Sequence, residues 1–147
     1  DGMNSPFLQF ETRVRARVVA LDHFCVVAAD LDRSEAFYRD VLSLESCPAP
    51  APLTRETARW IYDHEERPII HLNAKSAPRA MDRDMTKGPT GALHHIALRC
   101  EGFDDIRDRL EDRGLTYESN LIQSIGLRQI FVHDPDGVLL ELNFFED

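Results

Sequence analysis

Three histidines and one glutamate interrupt apolar runs where a strand alone gives no reason for them. His71 divides "RPIIHLNA", Glu141 divides "GVLLELNFF", His23 lies within "VVALDHFCVVAAD" and His95 within "LHHIALRC". Strand side chains alternate between faces, so Ile70 and Leu72 pack one way while His71 points the other. Leu140 and Leu142 likewise oppose Glu141. His23 shares a face with Cys25 and Val27, and His95 with Ala97 and Arg99. If these strands lie side by side, the four polar groups line one cleft. Neutral imidazole nitrogen and carboxylate oxygen form a donor set for Zn, Fe, Mn, Ni or Co. Two histidines with one carboxylate also leave positions open for a substrate with adjacent oxygens. A strand histidine taken singly is more often a hydrogen-bonded or edge residue than a ligand.

Recurrence strengthens the set. "WIYDHEERPIIHLN" from Trp60 lies over "IFVHDPDGVLLELN" from Ile130 at a constant shift of 70 positions, which puts His71 on Glu141. A shift of 72 puts His23 on His95. Two nearly equal shifts point to an internal duplication. The elements repeat in the same order. Val18 to Asp30 predicts a strand, and "LDRSEAFYRDVLSL" a helix, with Asp32 and Glu35 as its capping box. The prolines of "CPAPAPL" interrupt regular structure, and "ARWIYDHEERPIIHLN" predicts two strands around a charged turn. After "AKSAPRAMDRDMTKGPTGA" the order restarts: strand "LHHIALRC", helix "FDDIRDRLEDRG" stopped by Gly114, short strand "LTYES", and two strands around the turn "DPDG". The expected organisation is an N-terminal arm (1–17) and one domain (18–147) made of modules 18–73 and 92–147, joined by connector 74–91.

The bulk properties exclude several classes. A chain of 147 residues with 29% charged and 43% hydrophobic residues has the mix of one globular domain. A net charge of -9 without a basic run argues against a nucleic-acid partner. No apolar run approaches the ~20 residues of a spanning helix, so no membrane association is expected. "DGMNSPFLQF" has neither the basic start nor the apolar stretch of a leader, so a cytoplasmic location is expected. Cys25, Cys47 and Cys100 form no CxxC pair and are expected to be reduced and structural.

The motif "LDHFCVVAADLDRSEAFYRDVLSLE", the restart "LHHIALRC" and the ending "DPDGVLLELNF" resemble the vicinal oxygen chelate superfamily over about Ala20 to Phe145. That superfamily includes glyoxalase I, methylmalonyl-CoA epimerase, extradiol dioxygenases and fosfomycin-resistance and bleomycin-binding proteins. The resemblance implies an α+β fold of paired βαβββ modules forming a cupped, mostly antiparallel sheet around a divalent metal, generally in a homodimer. It puts His23, His95 and Glu141 on the three common ligand positions. His71 falls where glyoxalase I has Glu and the epimerase Gln, a fourth ligand of a different type.

The resemblance implies a glyoxalase- or epimerase-like lyase or isomerase acting on a small substrate with vicinal oxygens through a metal-stabilised enediolate, with Glu141 as base. An Fe(II) extradiol-type dioxygenase is the second reading, although Phe131 stands at its Tyr position and "NLIQSIG" lacks its His. A non-catalytic small-molecule binding protein is the third. Cys25 stands where the fosfomycin proteins carry Thr. Arg99 and Arg128 are candidates for an anionic substrate group, and Trp60, Tyr62 and Phe145 for pocket walls. His64 and His133 are expected to be solvated, and His94 to point away from the cleft.

Overall fold

The computed structural model describes residues 14–145, so most of the expected N-terminal arm lies outside them. The first strand, β1, is Phe24–Ala28. It starts later than the expected Val18: residues 14–23 have no regular structure, and Val18, Val19 and Leu21 are more than 80% exposed. The reason is the partner strand. β1 pairs in parallel with β4 (Ile70–Ala74) from Phe24 onward, and Pro68, lacking an N–H, sits where the ladder ends.

Helix α1 (Leu31–Ala36) continues into a wider π turn over Phe37–Val41. Its cap is Asp30, which accepts from the Arg33 N–H at 3.2 Å, and not the Asp32 and Glu35 box expected from sequence. Glu35 is buried instead, with Arg55 at 3.1 Å, Arg59 at 3.3 Å and the Ser46 hydroxyl donating to it. Strands β2 (Glu45–Cys47) and β3 (Ala58–Tyr62) complete a sheet of order β1-β4-β3-β2.

The second module repeats the path: β5 (Ile96–Arg99), α2 (Phe103–Asp112), β6 (Tyr117–Ile122), β7 (Leu127–His133) and β8 (Leu139–Phe144). Its sheet order is β5-β8-β7-β6, with β5 parallel to β8 and the other pairs antiparallel. The architecture is thus α+β, in two four-stranded sheets that share no ladder among the described residues.

The duplication holds with one adjustment. His71 pairs with Trp60, but Glu141 pairs with Phe131, so β3 matches β7 at a shift of 71 rather than 70. The turn joining the last two strands is one residue shorter in the second module. A one-residue slip would have reversed every side chain in the strand.

One face of each sheet builds a common core. Val26, Tyr38, Ile61, Ile70 and Leu72 belong to the same buried cluster as Ile106, Leu110, Ile130, Leu140, Leu142 and Phe144. The turn "DPDG" fastens the modules together. Asp136 accepts from the Ala29 N–H at 3.0 Å and the Ser34 hydroxyl at 2.5 Å, and Asp134 from the Tyr38 hydroxyl at 2.8 Å. Burial raises the Asp134 carboxyl above its ordinary value, although backbone N–H groups of Val138 and Asp136 and the Tyr38 hydroxyl oppose this. Gly137 has φ of 90°, and a Cβ there would stand 2.9 Å from the Gly88 nitrogen. No described helix is long and apolar enough to cross a membrane.

Candidate metal centre

With one face of each sheet committed to the core, the opposite faces carry the candidate ligands. His23 immediately precedes β1 and His95 immediately precedes β5. His71 lies in β4 between Cys25 and Trp60, and Glu141 in β8 between Ala97 and Phe131.

On the first sheet the His71 ring is sandwiched. The His23 ring stacks on it at 3.6 Å between centroids with planes 15° apart, and Trp60 stacks at 4.1 Å and 8°. Burial, and next the neighbouring His23, lower the His71 pKa, outweighing a hydrogen bond to the Pro68 backbone. Proline offers only a carbonyl, so the ring must donate to it. Nε2 of His71 is buried without a partner, which assigns the donor role to Nδ1. Trp60 Nε1 and Asn73 Oδ1 are also buried and unpartnered. His23 has its Nδ1 2.5 Å from Asp22 Oδ2.

The second sheet holds the other pair. His95 Nε2 lies 3.7 Å from Glu141 Oε1, with 38% and 16% of the two side chains exposed. His95 Nδ1 is 2.9 Å from His94 Nδ1, so His94 does not turn away as expected but hydrogen-bonds the candidate ligand. Asn143 Nδ2 donates to Glu141 Oε2 at 2.9 Å.

The quartet read from the sequence therefore appears as two pairs. Among the described residues no group of three His, Cys, Asp or Glu side chains lies close enough to hold one ion. Stacked rings also keep their in-plane lone pairs in nearly parallel planes, which do not converge on an ion at the ~2.0–2.1 Å of a metal–nitrogen bond. A shared ion requires one ring to turn. His23, at the strand's end and 36% exposed, has that freedom, whereas His71 is wedged.

The residues nonetheless fit an ion in their donor chemistry. Metal-ligating histidines donate their other N–H to a carboxylate or backbone carbonyl, which fixes the tautomer. His23 has Asp22 in this role and His71 has Pro68. The unpartnered buried Nε2 of His71 is the atom such a ligand would use.

The wall residues divide. Trp60 lies against His71, and Tyr62 is two residues farther along the same face of β3. Arg99 pairs with Asn143 on the Glu141 face and lies 4.5 Å over the Phe145 ring. Arg128 is turned to the other side: it pairs with the buried Phe144 and covers the Phe103 ring at 3.6 Å. Sequence reasoning set His94 aside and did not single out Asp22 or Asn143. Of these, Asn143 had a usable signal, standing two residues from Glu141 and so on its face.

Comparison with known proteins agrees with this architecture. Residues 20–142 match the model of the Glyoxalase/Bleomycin resistance protein/Dioxygenase superfamily. The chain belongs to this superfamily. It is 30% identical over 127 residues to "Glyoxylase I 4" of Arabidopsis thaliana, covering 85% of this chain and 70% of that protein. It is 29% identical over 129 residues to the ethylmalonyl-CoA/methylmalonyl-CoA epimerase of Cereibacter sphaeroides, covering 83% of this chain and 95% of the other. A glyoxalase/dioxygenase structure from Nostoc punctiforme superposes with a TM-score of 0.68 at 18% identity, covering 92% of this chain and 100% of that one, a likeness of fold.

Proposed function

We propose that this superfamily member is a divalent-metal-dependent lyase or isomerase of the glyoxalase and epimerase type, acting on a small substrate with adjacent oxygens. The observation that carries the reading is the shared hydrogen-bonding pattern of the imidazoles. His23, His71 and His95 each engage Nδ1 with a neighbour, which leaves Nε2 for an ion, and Glu141 turns Oε1 to the same side as His95. A divalent ion held by these groups (Zn, Fe, Ni, Mn or Co) supplies Lewis-acid polarisation of the substrate's paired oxygens. Glu141, through Oε1, is the base that takes the proton from the carbon beside the carbonyl. His71 in place of a second carboxylate leaves proton transfer to one side of the substrate only.

The separation of the pairs supports a homodimer in which the His23 and His71 face of one protomer meets the His95 and Glu141 face of its partner.

Elemental analysis of protein purified without an affinity metal, followed by assays with a hemithioacetal, malonyl-type acyl-CoA thioesters and a catechol under oxygen, tests the reading. One ion per chain and turnover of one of the first two substrates are expected. Oxygen consumption with catechol and Fe(II) would replace the reading with the dioxygenase, and ligand binding that survives His95→Ala without turnover would replace it with a binding module. Mixing His71→Ala with Glu141→Gln chains should restore activity in the hybrid dimer. No restoration in a proven hybrid would overturn the shared site.

A further inference from the structure

A line of side-chain amides crosses the open face of the second sheet and ends on Glu141. Asn120 on β6 donates its Nδ2 to Gln129 Oε1 on β7 at 2.9 Å. Gln129 donates its Nε2 to Asn143 Oδ1 on β8 at 3.1 Å, and Asn143 its Nδ2 to Glu141 Oε2 at 2.9 Å. The strand register produces the line, because Asn120 stands opposite Gln129 and Gln129 opposite Asn143.

Its direction is set from one end. An ionised carboxylate only accepts, so Asn143 must turn its NH2 to Glu141 and its carbonyl to Gln129. Gln129 is then obliged to present its own NH2, and its carbonyl meets Asn120. Gln129 is only 6% exposed, so a reversed amide would leave like groups facing each other away from water. The charge at the end strengthens each link, as successive dipoles point the same way.

The first module supplies an internal contrast. Asn73 is the counterpart of Asn143, two residues after His71, but Ala58 stands opposite it where Gln129 stands opposite Asn143. Asn73 Oδ1 is consequently buried without a partner. The line is present beside the charged residue and absent beside the neutral one.

The geometry points to Asn143, Gln129 and Asn120 as positioning residues that hold Oε2 of Glu141 and present Oε1 alone to a cation and to the substrate proton. The inference rests on the reading of Glu141 as ligand and base. With Oε2 held, the carboxylate binds through one oxygen and keeps its aim when the bond to an ion lengthens.

The test is titration of the full chain with Co(II) and with Zn(II), by calorimetry and by visible absorption of the Co(II) form, in Asn143→Leu, Gln129→Met and Asn120→Leu. Asn143→Leu should weaken cation affinity about 10-fold or more, the range for groups that orient a ligand. Gln129→Met should weaken it less, and the exposed Asn120→Leu, which does not threaten folding, least. In each the Co(II) bands should lose intensity in the same order, as the released Oε2 joins the coordination sphere and raises the coordination number. Unchanged affinity and bands, or a fall in thermal stability and affinity with unchanged bands, would overturn the positioning role and leave the proposed function standing. A wild-type chain that takes up neither cation would overturn both.

Discussion

His71 and Glu141 occupy equivalent places in two copies of one βαβββ unit, each in the strand parallel to the module's first, yet their surroundings are built on opposite principles. His71 sits between two aromatic rings, with burial keeping its imidazole neutral. Glu141 sits beside an amide N–H that is itself backed by two further amides. A neutral ring tolerates a dry, apolar sandwich, whereas a carboxylate must be given donors when its water is removed. Within this duplicated fold, the identity of one strand residue goes with the composition of the face around it.

The comparison is broken most directly by exchanging the chemistry of one side. His71→Glu puts a carboxylate into the aromatic sandwich without the backing amide line and should lower the stability of the cation-free protein by about 1–3 kcal/mol in urea unfolding. An unchanged midpoint would show that the first face accommodates charge as well as the second. Zn(II) should raise the thermal midpoint of this variant more than that of the wild type.

The helices of the two modules differ as well: α1 buries a carboxylate, Glu35, whereas the carboxylates of α2 are all exposed. Burial pushes Glu35 up, but hydrogen bonds from Ser46 and Arg55 and the charges of Arg59 and Arg55 outweigh it, leaving the pKa lowered. The native state therefore favours the ionised form. Its contribution is complete above the unfolded value of about 4.3 and is lost as pH falls through the folded one. Glu35→Gln should lower stability at neutral pH and flatten the acid limb below about pH 4.3, read by denaturation across a pH series. A parallel downward displacement at every pH would refute that account.

The smallest effect concerns Arg128. Arg128→Met removes a cation from the face of Phe103 and should cost about 0.5–1 kcal/mol. Because the side chain lies on the helix side of β7, KM should not move. A raised KM would place Arg128 in the site after all.

Much of this was legible from the chain. Two-residue periodicity separated Ile70 and Leu72 from His71, and Leu140 and Leu142 from Glu141, and the structure keeps both divisions. The near-equal shifts exposed the duplication. Other features were not legible because they depend on distant partners. Val18 and Val19 have the composition of a strand but pair with no other strand among the described residues. Asp30 rather than Asp32 caps the helix, since Glu35 is drawn to Arg55 and Arg59 from β3 and the segment before it. Trp60 matches Phe131 rather than Ile130 because turn length sets the register.

Sequence by itself determined the doubled α+β architecture, the superfamily and the residue types that could hold a cation, because alternation and repetition are local properties of a chain. Only the tertiary structure decided that these groups stand as two pairs on separate sheets, that Arg128 turns toward the helix, and that amides from three strands form one line ending on a carboxylate. Those outcomes follow from strand register and from which faces the shared core consumes, and both are set by contacts between residues far apart in the chain.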